Sequence, residues 1–428
     1  MFDLDHLVTA YHLLLSMPGV SLMGLYWFTL VFEVPRYAMG FPAIVAMYLK
    51  DRKNPDQPRP PPNIGKVSIL IAGHNEADAI ERGVKSLKTQ SFKDFEIICV
   101  SDGSTDGTFE IMKRLQREGL VDKVAGCQIR GGKASAINLA ARLSTGDIMI
   151  VIDCDCTFEH HAIAAILEPF ADPKVGGVSA SVLVKNGEES LIASLQHIEY
   201  LSGMTLGKAQ LDMFGQLCMI SGAFGAFRRE AWNRVNGMDP GPGEDLDISL
   251  RLRIAGYKLS FAHRAVAYTD VPVTLFNLLR QRSRWERDSV WLRYRKYPWT
   301  MNPFRADFKW RETLHQFEFL ILTVIAAAIF PFYMVYLFIE FGAMGFLVLL
   351  ACTIGLLCLD FFVFVCAVIA SGNNRHWKFL PYVLIYGIFQ SYLMRFARLY
   401  AFIDEWIFST SRGDSFAPPK VNAWITWK

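Results

Sequence analysis

The chain has 428 residues, 52% of them hydrophobic, with 44 basic and 41 acidic side chains and a net charge of +3. This near balance excludes a protein that holds nucleic acid by bulk charge, and the length leaves room for roughly two to three domains. A mean hydropathy of +0.23 is high for a soluble chain, and the excess lies in residues 1–50 and 314–408, the outline of a soluble domain inserted between membrane segments.

Taken in order, residues 4–17 read as an amphipathic lead-in. Residues 19–49 are mostly apolar, interrupted by Glu33 and Arg36, and are long enough to span a bilayer. Lys50, Arg52 and Lys53 follow at once and place that end in the cytoplasm. The pattern predicts an anchor rather than a cleaved signal peptide. Residues 55–62, with Pro58, Pro60, Pro61 and Pro62, predict a stiff, non-helical linker. Residues 67–72 then read as a buried strand, followed by a loop through His74, Asn75 and Glu76 and a helix over 78–89. A second strand over 95–100 ends in Ser101-Asp102-Gly103-Ser104, a turn that leads into another helix. Strand, loop, helix, twice repeated, is the signature of a doubly wound α/β sheet.

Arg130-Gly131-Gly132-Lys133 comes next. Its glycines allow close backbone approach, and Lys133 at a helix start could meet phosphate; a solvated lysine at a helix N-terminus reads the same way. Residues 148–152 form the central buried strand, which breaks into Asp153-Cys154-Asp155-Cys156. In extended backbone Asp153 and Asp155 face one side. Taken alone the pair is also what a polar strand exit looks like, but charge beside an apolar core is costly unless something pairs with it. A divalent cation bridging a nucleotide diphosphate would do so. Glu76, Asp102, Asp153 and Asp155 all fall at carboxyl ends of strands, where such sheets bind ligands. Cys154 and Cys156, near His160 and His161, invite a zinc reading. Strand alternation turns both cysteines away from the aspartates and no second ligand pair exists, so zinc is not expected. The eight cysteines lack pair spacing, which predicts reduced thiols.

Ser221-Gly222 opens a run of small residues that would let another chain pass close to the backbone. Glu244-Asp245-Leu246-Asp247 begins a helix. Its acids are either dipole-favoured caps or a general base at the mouth of the cleft. Residues 274–296 alternate Leu, Trp and Tyr with arginines, the pattern of a basic amphipathic helix on the cytoplasmic membrane surface, and contain Gln281-Arg282-Ser283-Arg284-Trp285. Three spans are expected after it, over 317–341, 343–370 and 379–402, with Asp360, Arg395 and Arg398 inside them as ion-paired or interfacial charges.

Together these stretches resemble the processive family-2 glycosyltransferases of membranes, which include cellulose, hyaluronan, chitin, chito-oligosaccharide and poly-N-acetylglucosamine synthases. The resemblance covers residues 66–300 and rests on five motifs in the family's order. It implies an α/β, GT-A type doubly wound nucleotide-binding domain inserted between transmembrane α-helices. The implied boundaries are an anchor at 1–49, a linker at 50–65, a cytoplasmic catalytic domain at 66–273, interface helices at 274–313 and a C-terminal membrane region at 314–428. Asn75, Glu76, Asp102, Lys133, Asp153 and Arg284 would bind the nucleotide, with Asp102 at the uracil. Asp153 and Asp155 would hold Mg2+ or Mn2+, and Asp245, beside Glu244, would be the base. Ser221, Gly222, Gln281 and Trp285 would line the acceptor site.

The implied activity is inverting polymerisation of a UDP-sugar, UDP-N-acetylglucosamine before UDP-glucose, with export of the polymer through a bacterial inner membrane. Implied partners are the UDP-sugar, the growing polysaccharide, membrane lipids and accessory secretion proteins, with no nucleic acid. Two other readings compete. A polyprenyl-phosphate glycosyltransferase would use the same nucleotide half without needing Gln281-x-x-Arg284-Trp285. A non-catalytic channel or scaffold would not need the intact acids.

Overall fold

The computed structural model describes residues 4–35, 57–306, 308–413 and 418. Arg36, the basic residues Lys50, Arg52 and Lys53, the second half of the expected leading span and the tail beyond 413 (Pro418 apart) lie outside the described residues.

The centre is an eight-stranded mixed sheet in the order β3-β2-β1-β4-β7-β6-β8-β5. Its strands are β1 Val67–Gly73, β2 Phe95–Asp102, β3 Lys123–Cys127, β4 Ile148–Asp153, β5 Thr157–Phe158, β6 Val175–Val184, β7 Phe224–Arg228 and β8 Lys258–Thr269. The first four in space are parallel. Their side chains alternate between two cores, as a period of two requires. Ile69, Ile71, Ile97, Cys99, Ile150 and Ile152 join one layer with Val84 and Leu87, and Leu70, Ile98, Val100, Met149 and Val151 join the other with Ile137 and Ala140. This half matches the doubly wound expectation. Beyond β4 the pattern changes: β7 runs antiparallel to β4 and to β6, β6 pairs parallel with β8, and β5 closes the edge antiparallel to β8. Gly225 of β7 lets the segment at Ile220 pass close to the strand, because a Cβ there would lie 2.4 Å from Ile220.

Parallel pairing fixes the level of the strand ends. Gly73 pairs with Ser101 and Ala72 with Asp153, so the loops after β1, β2 and β4 open on one edge. Against β6 and β8 a long helix runs through 191–213, α-helical at Leu191–Tyr200, π-helical at Leu201–Gly207 and α-helical again at Lys208–Met213. Ser190 caps it, accepting the amide of Ala193 at 3.1 Å.

Two helices, Trp310–Phe341 and Ala343–Ser371, are long and apolar enough to cross a membrane. They turn on Gly342 at φ +51°. At the N-terminus a helix over Leu4–Ser16 packs along Ala343–Ser371. After Pro18 the apolar helix Gly19–Phe28 continues, and Leu25, Phe28 and Phe32 pack against Phe330, Tyr333 and Leu337.

The third expected C-terminal span departs from a plain apolar helix. It opens with a 3-10 segment, Asn374–Tyr382, and continues through 383–408. Arg395 of this helix is buried against Glu33, and Arg398 pairs with Glu286 at 3.1 Å. The helix expected at the membrane surface is likewise tied to the rest of the protein. Helix Leu275–Val290 and its π-helical extension Trp291–Lys296 form as predicted, but several of their cations face inward. Arg282 pairs with Glu199 at 2.9 Å, Arg287 with Asp404 at 3.3 Å, Arg295 with Glu405 at 3.6 Å, and Lys296 with Asp239 at 2.7 Å and Asp247 at 2.5 Å. A basic stripe reads alike in sequence whether it faces lipid headgroups or buried acids; here carboxylates far apart in the chain decide it.

Candidate active site

The strand-end edge gathers the predicted acids. Asp153, the last residue of β4, lies 2.5 Å from Lys133 Nζ, and the same ammonium lies 3.8 Å from Glu244. Lys133 also donates to the carbonyl of Gly222 at 3.1 Å. Burial alone would lower the Lys133 pKa, but Asp153 and Glu244, with Asp245 beyond them, outweigh it and raise it. The lysine is therefore a fixed cation in an anionic cleft. Burial raises the Glu244 carboxyl, with Lys133 opposing and Asp245 reinforcing the shift. Burial, then the charge of Asp153, also raises Asp155, whose Oδ2 accepts the Thr269 hydroxyl at 2.9 Å. Burial, with Asp155 and Asp153 next, pushes Glu76 up to about 7. All three carboxyls crowd Asp153, which is the condition a cation relieves.

Among the described residues no group of three or more His, Cys, Asp and Glu closes on a metal ion. Two carboxylates suffice for Mg2+ or Mn2+ when a substrate diphosphate supplies further oxygens, so Asp153 and Asp155 fit such an ion. The neighbouring thiols do not compete. Cys154 donates to Ala72 O at 3.3 Å, and burial holds both Cys154 and Cys156 far above the usual thiol range.

The nucleotide-side loops are tied to one another. Asn75 takes φ +58° and accepts the Thr105 amide at 2.9 Å, while its own amide donates to Ser104 at 3.1 Å. Glu76 N donates to the Thr108 hydroxyl at 2.8 Å. Asp102 is buried, and its two oxygens accept the amides of Gly131 and Gly132, each at 2.7 Å. The residue expected at the uracil is thus the anchor of the loop that carries Lys133.

On the other flank, a strap through 220–223 passes over helix Glu244–Ile254. Ile220 N donates to Ser249 Oγ at 2.9 Å, and Ser249 Oγ donates to Asp245 O at 2.6 Å. A Cβ on Gly222 would sit 3.3 Å from both Asp245 Oδ2 and Lys133 Nζ, so only glycine fits without a shift. Ala223 O accepts Asp153 N at 3.1 Å, which closes the strap onto the aspartate pair. Trp285 packs on the same apolar cluster as Ala223, with the Arg282 guanidinium 4.6 Å from its ring centre. Gln281 Oε1 is buried with no hydrogen-bond partner among the described residues, and Arg284 is half-buried on the same helix. Asp247 has a different position from Asp245 two residues before it. It is buried and bonded to Arg251, Lys296 and the Tyr297 hydroxyl, which makes it a structural anchor.

Sequence reasoning missed Thr269, Ser249, Ser179 and Lys208 around these groups. Each is a single polar residue in an otherwise ordinary strand or helix, and only Lys208, a cation in an apolar helix, carried a signal.

Residues 68–235 match the model of glycosyl transferase family 2. A poly-beta-1,6-N-acetyl-D-glucosamine synthase of Staphylococcus aureus is 30% identical over 224 residues, 51% of this chain and 53% of that protein. The Staphylococcus epidermidis enzyme of the same name is 28% identical over 221 residues, with the same shares covered. The chain thus spans about half the length of the curated relatives it matches. In fold it is similar to a mannosyltransferase from Pyrobaculum calidifontis, solved in complex with GDP-Man and Mn2+, at a TM-score of 0.52 and 18% identity over 86% of this chain and 98% of that one. The cleft described above therefore belongs to a chain that carries a glycosyl transferase family 2 domain on a mixed α/β, GT-A-like sheet.

Proposed function

We propose that this chain is a processive, inverting β-glycosyltransferase that polymerises a UDP-sugar, UDP-N-acetylglucosamine before UDP-glucose, and passes the product across the bacterial inner membrane. The observation that carries the proposal is the placement of Asp245 and Lys133 together beside Gly222 of the strap, with Asp153 on the same lysine. That arrangement puts a base and a diphosphate-binding cation within one sugar's reach.

Asp153 and Asp155 would hold Mg2+ or Mn2+, which supplies charge neutralisation at the leaving diphosphate. Lys133, and Arg284 on the Trp285 helix, add fixed positive charge for the same oxygens. Asn75 and Glu76 line the nucleotide side, and Asp102 acts there by fixing the Gly131–Gly132 turn. Asp245 takes the proton of the acceptor hydroxyl as that oxygen bonds to the anomeric carbon and the bond to UDP breaks. One displacement inverts the centre, so an α-linked donor gives a β-linked product. Ser221, Gly222, Gln281 and Trp285 would seat the acceptor, with the indole as a stacking platform and Gln281 Oε1 as a free acceptor for a sugar hydroxyl. Helices Trp310–Phe341 and Ala343–Ser371 beside the domain would give the polymer its way into the membrane.

The test is UDP release by purified protein in detergent with Mn2+ or Mg2+, given UDP-N-acetylglucosamine or UDP-glucose, with the product sized. Metal-dependent release with a long polymer supports the proposal and names the sugar. A single sugar on a lipid carrier supports the polyprenyl-phosphate reading instead. No release from either donor overturns the proposal.

A further inference from the structure

Lys208 has no place in the scheme above, yet its position is costly. It is 7% exposed, and among the described residues no carboxylate lies within ion-pair distance of its ammonium. Nζ donates to Ser179 Oγ at 2.9 Å, on a strand residue with no exposed surface. A buried cation without a paired anion forfeits stability, so a chain that keeps one has another use for it.

The hydroxyl it holds leads to the strap. Ser179 Oγ also accepts the amide of Ser221 at 3.0 Å. From Ser221 the chain passes to Gly222, whose carbonyl accepts Lys133 and whose Cα leaves only enough room for Asp245 and Lys133. Before its tie at Ala223, the strap thus has three anchors over 220–222, Ser249 at Ile220, Ser179 at Ser221 and Lys133 at Gly222. Lys208 sets the middle one from behind. Its ammonium also faces Asp245 and Cys218 electrostatically, burial bringing its pKa down to about 8 while those two groups oppose the shift. Asp245 in turn faces Lys133, Glu244 and Lys208.

We propose that Lys208 is a positioning residue of the acceptor side: through Ser179 it holds the Ser221–Gly222 strap against Asp245. The inference rests on the proposed role of Asp245 as base. It assigns the second half of the π-interrupted helix through 191–213 to the chemistry, although no atom of Lys208 need touch substrate.

The experiment compares Lys208→Met, Lys208→Arg and Ser179→Ala in the full chain, measuring UDP release together with donor KM and melting temperature. Lys208→Met is expected to lower kcat roughly 10- to 100-fold with donor KM within about twofold, since the nucleotide side is built separately. Lys208→Arg should recover most of the loss. Ser179→Ala keeps the lysine and loses the anchor, so kcat falls at an unchanged donor KM. Lys208→Met with the wild-type kcat overturns the proposal, as does a donor KM that rises as far as kcat falls. Where Lys208→Met does not fold, Ser179→Ala decides: a lowered kcat at unchanged donor KM supports the anchor, and a wild-type kcat overturns it. A wild-type chain that releases no nucleotide fails at Asp245 first, and Asp245→Asn then matches it; an active wild type with an inert Asp245→Asn leaves the base reading standing while Lys208 is judged alone.

Discussion

In the seam where helix Leu275–Val290 and its extension meet the rest of the protein, four acids and four cations pair one to one, while Lys296 at its end is shared by Asp239 and Asp247. Glu199 meets Arg282, Glu286 meets Arg398, Asp404 meets Arg287 and Glu405 meets Arg295. At the strand ends the balance is reversed: Asp153, Glu244 and Asp245 share Lys133, and Glu76 and Asp155 lie within reach of the same field. Both regions are partly buried, so solvent does not account for the difference. A matched seam is complete and holds two helices in register. An unmatched cleft stays anionic until a ligand of opposite charge enters, and that excess marks the second region as a binding site.

Breaking the cleft should therefore cost activity and breaking the seam should cost stability. The largest effect is expected for Asp245→Asn, with a loss of about 10²- to 10⁴-fold in UDP release and an unchanged melting temperature, since among the described residues the Asp245 carboxylate accepts one hydrogen bond, from its neighbour's amide, Leu246 N at 2.8 Å. Glu199→Ala should do the opposite. It leaves the Arg282 guanidinium buried beside Tyr200 and Trp285 without its carboxylate, a change that costs about 3 kcal/mol. The melting temperature should fall by several degrees before turnover is lost in the protein that remains folded. If Glu199→Ala is inactive yet fully stable, the division between seam and cleft fails.

The parallel half of the sheet was legible because strands β1, β2 and β4 are uninterrupted apolar runs with turn residues behind them. The acids were legible because Glu76, Asp102 and Asp153 directly follow or end those runs. What was hidden depends on long-range partners. Asp102 reads the same in sequence whether it meets a base or the amides of Gly131 and Gly132. Asp245 and Asp247 are indistinguishable as neighbouring acids on a helix start. Only Lys296, Arg251 and Tyr297 mark the second as an anchor. The inward turn of the 275–296 arginines depends on acids at 199, 404 and 405, and the need for glycine at 225 shows only against Ile220.

A milder test uses pH. The Glu76 carboxyl is raised from 4.5 to about 7, first by burial and then by Asp155 and Asp153. Between those values the folded protein holds a proton that the unfolded chain has released, so stability falls as pH rises across that window and is level above it. Metal-free protein should melt progressively lower from pH 5 to 7, and Glu76→Gln should flatten the slope. Mn2+ should restore the melting temperature most at pH 7 and above, where the three acids are ionised together. A slope that survives in Glu76→Gln would place the proton elsewhere.

The smallest effect should come from Glu81, which sits on an open face with Lys85 at 2.7 Å and Arg114 in contact. This carboxylate is as well supplied with cations as any in the seam, and their hydrogen bonds hold its pKa below the ordinary value. Water screens the arrangement, because the side chains of Lys85 and Arg114 are 62% and 45% exposed. Glu81→Gln should leave both melting temperature and UDP release unchanged, although it removes two ion pairs where Glu199→Ala removes one. If Glu81→Gln instead costs as much as Glu199→Ala, the number of pairs rather than their burial would set the stability of this chain. The seam would then lose its claim to be the element that joins the catalytic sheet to the membrane-side helices.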